Sequence, residues 1–316
     1  LQVLRENRRA ESAAACFAAK EAFLKAAGTG LGGFPLAELP EKTLRQTRKR
    51  LRLQKNNRGL KVGLLTKRRE SLIRSLSARH GRKGSEFCLC DGPRASHEIL
   101  NLRPDLVEQV ILREGFEYRE SFPVKPDILP AEEFDRIRNT VHSQGILLLV
   151  KRPEVIAEEA PVEAPFVFLL DRIADPGNFG TMVRTARAIG LKEIWMTEGA
   201  ADPFSDKSIR SASGAQFALR IRRHGSLEHT LSLLKEKGFS MVYRTSPAQG
   251  ANVFTEKNLF DRSVIVLGNE GGGVGAIAGS VDLNIPMPGD AESLNVAQAA
   301  TVILFEYVRR LCSVQS

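Results

Sequence analysis

Val264-Ile265-Val266-Leu267-Gly268-Asn269-Glu270-Gly271-Gly272-Gly273 is an apolar run that stops on a glycine-rich turn. Four short apolar residues read as a buried strand. The glycines after it let the backbone come close to a ligand and adopt positive φ. A phosphate loop of the Gly-Lys-Ser/Thr kind needs a lysine after the glycines, and Val274-Gly275 stands there instead. Glu270 is hard to explain as packing, because a carboxylate at such a site needs a partner, Arg184 or an amide.

Outward from this turn, similar runs recur at Phe166–Leu170, Ile194–Thr197, Phe217–Ile221, Met241–Tyr243 and Leu283–Ile285, with helical stretches between them. That alternation predicts an α/β fold with a mostly parallel sheet flanked by helices. Ligands bind such sheets beyond the carboxyl ends of the strands.

Two further motifs occupy such ends. Asp175-Pro176-Gly177-Asn178-Phe179-Gly180-Thr181-Met182-Val183-Arg184 follows the run at 166–170 and shapes a sharp loop entering a helix, whose free N–H groups favour an anion. Arg184, one turn into that helix, suits either a fork on a phosphate or a structural pair with a carboxylate. Ile285-Pro286-Met287-Pro288-Gly289-Asp290-Ala291-Glu292-Ser293-Leu294-Asn295-Val296-Ala297 precedes the last helix. Ser293 is placed as its N-cap, and Ile285, Met287 and Leu294 could cradle a purine ring.

Residues 67–150 alternate helix and strand on a smaller scale: helix 67–80, strand Phe87–Cys90, a helix after Pro93, strand Val107–Leu112, a helix near 131–138 and strand Ile146–Val150. Lys151 to Pro165 reads as a linker. The expected division is a basic helical extension at 1–60, a small α/β module at 61–150, a linker at 151–165 and the large α/β domain at 166–316.

The net charge of +9 is uneven, with thirteen Lys and Arg against five Asp and Glu in residues 1–60. A helix near 42–58 ringed by Arg45, Arg48, Lys49 and Arg52 has the pattern of one lying on phosphates. A solvated basic face is the bland alternative. Cys16, Cys88, Cys90 and Cys312 lack zinc-ligand spacing and read as free thiols in a reducing compartment, and no metal is expected. No apolar run approaches a membrane span. Glu6, Glu11 and Glu21 argue against a transit peptide, so the cytoplasm is the expected location, with organelle targeting left open.

In these three motifs and their order the sequence resembles the SpoU (TrmH-like) family of RNA ribose 2'-O-methyltransferases, over residues 165–312. Residues 67–150, with Gly81-Arg82, Phe87 and Asp91-Gly92-Pro93-Arg94, resemble the L30e-like substrate-binding domain that precedes the catalytic domain in some members. The resemblance implies a trefoil-knotted sheet, S-adenosylmethionine as methyl donor, a homodimer through the C-terminal domain and a structured RNA substrate, rRNA in preference to tRNA. It assigns catalysis to Asn178, Arg184, Glu270, Ser293 and Asn295. Cofactor contacts fall to Thr245, Gly268, Ile285, Met287 and Leu294, and Arg82 and Arg94 join the basic helix as RNA contacts. It also gives the last helix, through Ala299, Ala300, Ile303, Leu304 and Tyr307, a part in the dimer face. The family proposal makes the arginine a base; a guanidinium stays protonated, so Arg184 is read here as fixing the RNA phosphate. The competing reading is a knotted RNA-binding assembly factor without catalysis, which would carry damage at Arg184, Glu270 or Asn295.

Overall fold

The structure, a computed structural model, describes residues 65–118, 121–137, 143–247, 250–269 and 271–314. The basic extension, with Arg45, Arg48, Lys49 and Arg52, lies outside the described residues, and so does Glu270. Residues 62–116 and 122–316 form one compact unit.

The N-terminal part of that unit begins with α1 (Lys67–Ser77), whose N-cap Thr66 accepts from the Arg69 amide, and a turn of helix, α2 (Arg79–Arg82). It continues through β1 (Phe87–Asp91), α3 (Pro93–Leu102), β2 (Val107–Arg113), β3 (Asp127–Leu129), α4 (Ala131–Ile137) and β4 (Ile146–Lys151). The strands form a sheet in the order β1-β4-β2-β3. Cys88 and Cys90 are fully buried on β1, and burial pushes the Cys88 thiol up to about 12 and that of Cys90 up as well. Both are therefore inert packing groups.

The second sheet is built from β5 (Val167–Leu170), β6 (Glu193–Met196), β7 (Arg220–Arg223), β8 (Met241–Thr245), β9 (Ala251–Asn252), β10 (Ser263–Leu267) and β11 (Val281–Asn284). Their order is β7-β6-β5-β10-β8-β11-β9, and every pairing is parallel. Helices α5 (Pro176–Ala188), α6 (Asp206–Ser211), α7 (Leu227–Glu236) and α8 (Val296–Val314) flank it. Along β5 and β10, Phe168, Leu170, Ile265 and Leu267 enter one core with α5 and α8. Val167, Leu169, Val264 and Val266 enter a second core with Trp195 and Leu234. Burial on both faces is why these strands are continuously apolar.

Four sequence expectations change. The run Phe217–Ile221 is not a strand. Ala215–Phe217 is a 3-10 turn entered from left-handed Gly214, because Phe217 turns in against Phe204 at 5.5 Å, and β7 starts at Arg220. Residues 151–165 are not a free linker. Buried Arg222 pairs with buried Glu193 at 3.0 Å and donates to the Ala157, Ala160 and Pro161 carbonyls, so the segment is tied to the sheet edge. Arg82 does not offer a free cation, since its guanidinium binds Asp202 at 3.2 Å and the carbonyls of Leu76 and Ser77. Finally, Ala300, Ile303 and Leu304 are buried in their own chain's core and Tyr307 packs on Phe166, while Phe305 and Leu311 are the exposed large side chains of α8.

The small sheet and its helix pack against the helices that flank the large sheet. Asp202 receives Arg152 as well as Arg82, Arg187 of α5 pairs with Glu98 of α3 at 2.8 Å, and the Asp91 amide donates to Asp206 at 3.4 Å. Burial raises the Asp206 carboxyl to about 6, with Arg210 restraining the rise and Asp91 adding to it.

Two outcomes follow from these contacts. Arg222→Ala leaves Glu193 buried and unpaired, so urea unfolding should lose about 3–5 kcal/mol. Adding Glu193→Leu should recover part of that, and no recovery would mean the loss is packing. For Asp206, the folded-state pKa lies above the ordinary value of 3.8, so the native state holds the proton more tightly. Its ionisation destabilises the fold above about pH 6, and that penalty fades as pH falls toward 4. Melting curves of Asp206→Asn should therefore exceed wild type at pH 7 and converge with it near pH 4; a pH-independent gap would contradict the assignment.

Candidate functional site

β5, β10, β8 and β11 are neighbours and all point the same way, so the segments that leave their carboxyl ends meet. Between them lies a cavity of about 400 Å³ lined by Thr245, Ser246 and Pro247 after β8, Gly268, Asn269 and Gly273 after β10, and Ile285, Met287, Ser293, Leu294 and Asn295 after β11. All five residues expected to hold a cofactor line this one cavity, and Ser293 and Asn295 join them.

Local chemistry fixes each wall. Thr245 Oγ1 donates to the Val266 carbonyl at 3.2 Å, and the Ser246 amide donates to Leu283 O at 3.0 Å, tying the ends of three strands together. After β10 the turn closes on itself: Asn269 Oδ1 accepts from the Gly271 and Gly272 amides at 3.0 and 2.8 Å, and the Gly273 amide donates back to Asn269 O at 2.9 Å. Gly273 takes φ +59, and a Cβ on Gly268 would overlap the Gly273 carbonyl and the Val274 nitrogen. Glycine at 268 is therefore a steric requirement as well as an opening for a ligand. Arg244 anchors the far side, bound to Asp282 and to the carbonyls of Val274 and Gly275.

The first motif stands next to this cavity. Asp175 caps α5 by accepting from the Asn178 amide at 2.9 Å, a bond that with Lys207 at 3.0 Å holds its carboxyl below the usual range. Gly180 lets α5 and α6 touch, since a Cβ there would overlap Ser211 Oγ. Asn178, Asn269, Gly271 and Val296 line a recess of about 200 Å³ that shares Asn269 and Val296 with the larger cavity.

Asn295 joins the motifs. Its Nδ2 donates to Asn178 Oδ1 at 3.2 Å while its Oδ1 accepts from the Ala297 amide at 2.9 Å. Asn295 therefore caps α8, the position expected of Ser293, which lies two residues further out and is exposed. Both residue types are good caps, and only the observed helix start at Val296 separates them.

Arg184 is not brought into the cavity. It lies on the solvent-facing stripe of α5 and makes no hydrogen bond or ion pair with any described residue, unlike Arg187 and Lys207 nearby. Arg94 is likewise exposed. Ser246, Pro247, Arg244 and Asp282 were not singled out from sequence, and Asn269 was quoted without a role, although Ser246-Pro247 comes soon after the run Met241–Tyr243, near where such sheets bind ligands.

The SpoU rRNA Methylase family model matches residues 165–305, the interval that holds all three loops. The chain is similar to the 23S rRNA (guanosine(2553)-2'-O)-methyltransferase RlmP of Bacillus subtilis, at 32% identity over 237 residues covering 73% of this chain and 92% of that protein. Among solved structures, a TrmH-family protein from Porphyromonas gingivalis has a TM-score of 0.67 at 28% identity, over 78% of this chain and 100% of that one. The SpoU methyltransferase AviRb from Streptomyces viridochromogenes, solved in complex with AdoMet, shares the fold with a TM-score of 0.66 at 24% identity, over 78% and 99% of the two chains.

Asn295→Ala removes both the cap and the link to Asn178, whereas Asn295→Asp keeps a cap acceptor and loses only the donor. Chemical unfolding should show the alanine variant about 1 kcal/mol less stable, with the aspartate variant near wild type. Equal losses would mean that the link, not the cap, carries the stability.

Proposed function

Because the chain belongs to the SpoU rRNA methylase family, we propose a division of labour for it in which residues 61–150, an L30e-like module, hold the RNA and residues 166–316 methylate it. The protein is an S-adenosylmethionine-dependent RNA ribose 2'-O-methyltransferase with rRNA as substrate. The observation that carries the reading is the cavity formed by the loops after β8, β10 and β11, with the first motif in the recess beside it. Its size, its apolar side at Ile285, Met287 and Leu294, and its rim of backbone groups near Thr245 and Gly268 fit a purine nucleoside with a charged tail.

The cofactor supplies a methyl group activated on a positively charged sulfur. The protein must hold the ribose 2'-oxygen in line with that methyl, and positioning contributes most of the rate. In this reading Asn178 in the recess and Ser293 and Asn295 in the adjoining cavity form the wall against which the ribose rests, and Glu270 belongs to the same catalytic set. The segment after the glycine turn threads the trefoil knot that fixes the cavity's shape. Arg184, exposed and outside its own cavity, supports a homodimer through the C-terminal half, in which the partner's α5 completes the site and its guanidinium grips the RNA phosphate. Exposed Phe305 and Leu311 on α8 fit the same face. Arg94 and the basic residues of 1–60 extend the RNA contact, which is read through phosphates and shape. Among the described residues no helix is long and apolar enough to cross a membrane, and a cytoplasmic location fits an rRNA substrate.

The test is tritiated S-adenosylmethionine with unmodified rRNA and tRNA, followed by alkaline cleavage. Label should enter rRNA and protect the adjoining phosphodiester bond. Arg184→Ala should cut turnover by about a hundredfold or more while cofactor affinity stays near wild type. Equal losses in both would overturn the phosphate role, and no label despite cofactor and RNA binding would favour an assembly factor.

A further inference from the structure

Away from the cavity, at the sheet edge where β7 leads into α7, three ligand-type side chains converge. His224 Nδ1 lies 3.3 Å and His229 Nε2 3.5 Å from the same oxygen, Oε1 of Glu158, and one donor atom from each residue falls within 4.8 Å of the others. We propose that Glu158, His224 and His229 form a divalent transition-metal site, suited to zinc, which clips the segment joining the two sheets onto the edge of the parallel sheet.

The distances fit a ligand set better than a tight hydrogen-bonded cluster. Charge-assisted N–H···O bonds run about 2.7–2.9 Å, shorter than either contact. Ligands about 2.0–2.1 Å from a tetrahedral zinc stand about 3.3–3.4 Å from one another, close to the two separations observed. Two imidazoles and a carboxylate are also a zinc donor set, with a fourth position open to water.

Each ligand is positioned by contacts that owe nothing to the others. The His224 ring is stacked on Trp195, with centroids 4.7 Å apart and planes at 14°. Its Nε2 is buried with no hydrogen-bond partner, so the Glu158 side is the ring's polar outlet. His229 sits in the first turn of α7, its amide held by the N-cap Ser226. Glu158 is placed by its neighbours Ala157, Ala160 and Pro161, whose carbonyls bind Arg222. Arg222 is the adjacent cation, and Glu193 neutralises it at 3.0 Å. The side chains of Glu158 and His229 are 51% and 56% exposed, which gives an ion a way in. No cysteine marks this site in sequence, and although His224 and His229 stand five residues apart, within the spacing zinc-binding histidines use, Glu158 is more than sixty residues from them.

The test uses the full-length, tag-free protein stripped with a chelator and titrated with zinc against a chromophoric competitor, in a background carrying Cys16→Ser and Cys312→Ser, which leaves only the two buried thiols. Cobalt is titrated in parallel for its visible spectrum. One equivalent should bind, with cobalt giving tetrahedral absorption, and zinc should slow protease cleavage within 152–165. Glu158→Gln and His229→Ala change exposed residues that leave the core intact. Each should weaken zinc binding at least tenfold and abolish the protection, while methyl transfer persists. Failure of wild type to bind zinc, or unchanged binding in both variants, would overturn the site.

Discussion

Seven strands running one way impose the arrangement on which the rest of the molecule depends. The long connections must return across a face of the sheet, so each face is buried under helices and the segments that follow the strands emerge at the same edge. Three neighbouring strands, β10, β8 and β11, thereby deliver loops that are distant in sequence to one cavity, and β5 delivers the first motif to the recess beside it. The chemistry of those loops can vary only within what the edge permits. Gly268 cannot be enlarged because Gly273 returns against it, and Asn269 is held by the amides it serves.

Several walls of the cavity are held in place by side chains bonded to backbone groups. Asn269 supports the glycine turn, Arg244 fixes the strand after it, and Asn295 both starts α8 and reaches Asn178. The Asn178–Asn295 contact connects the first and third loops through one amide pair, so the capping of the last helix and the geometry of the first motif are not independent. Changing either asparagine alters both a stability term and the site, which is why amide-to-acid and amide-to-alanine variants separate them.

The three loops were legible in sequence because their signals are local: an apolar run, then glycine, proline and asparagine in a spacing that only a strand end followed by a turn satisfies. Phe217 was not legible, since an apolar residue packed from a 3-10 turn has the same local pattern as one packed from a strand. Arg82 and Arg222 show the same limit for charge. A count of cations cannot tell a guanidinium facing solvent from one held by Asp202 or Glu193, because the partners lie 120 and 29 residues away. The face of α8 was misjudged for a related reason: Ala300, Ile303 and Leu304 are apolar because they pack inward, and only the fold reveals that Phe305 is left outside.

The junction joins the small module to the helices that flank the cavity. α5 carries Asn178 near its start and Arg187 near its end, and Arg187 is bound to Glu98 on α3 of the small module. α6 touches α5 through Gly180 and places Asp206 against the Asp91 amide of β1, while Asp202 just before it gathers Arg82 and Arg152. These pairs are each modest when partly exposed, but they act on the same two helices from several directions, and the close approach at Gly180 leaves no slack between them. The small module and α5 are therefore held at a set spacing, and under the proposed division of labour that spacing would govern which nucleotide of an RNA on the small module reaches the cavity.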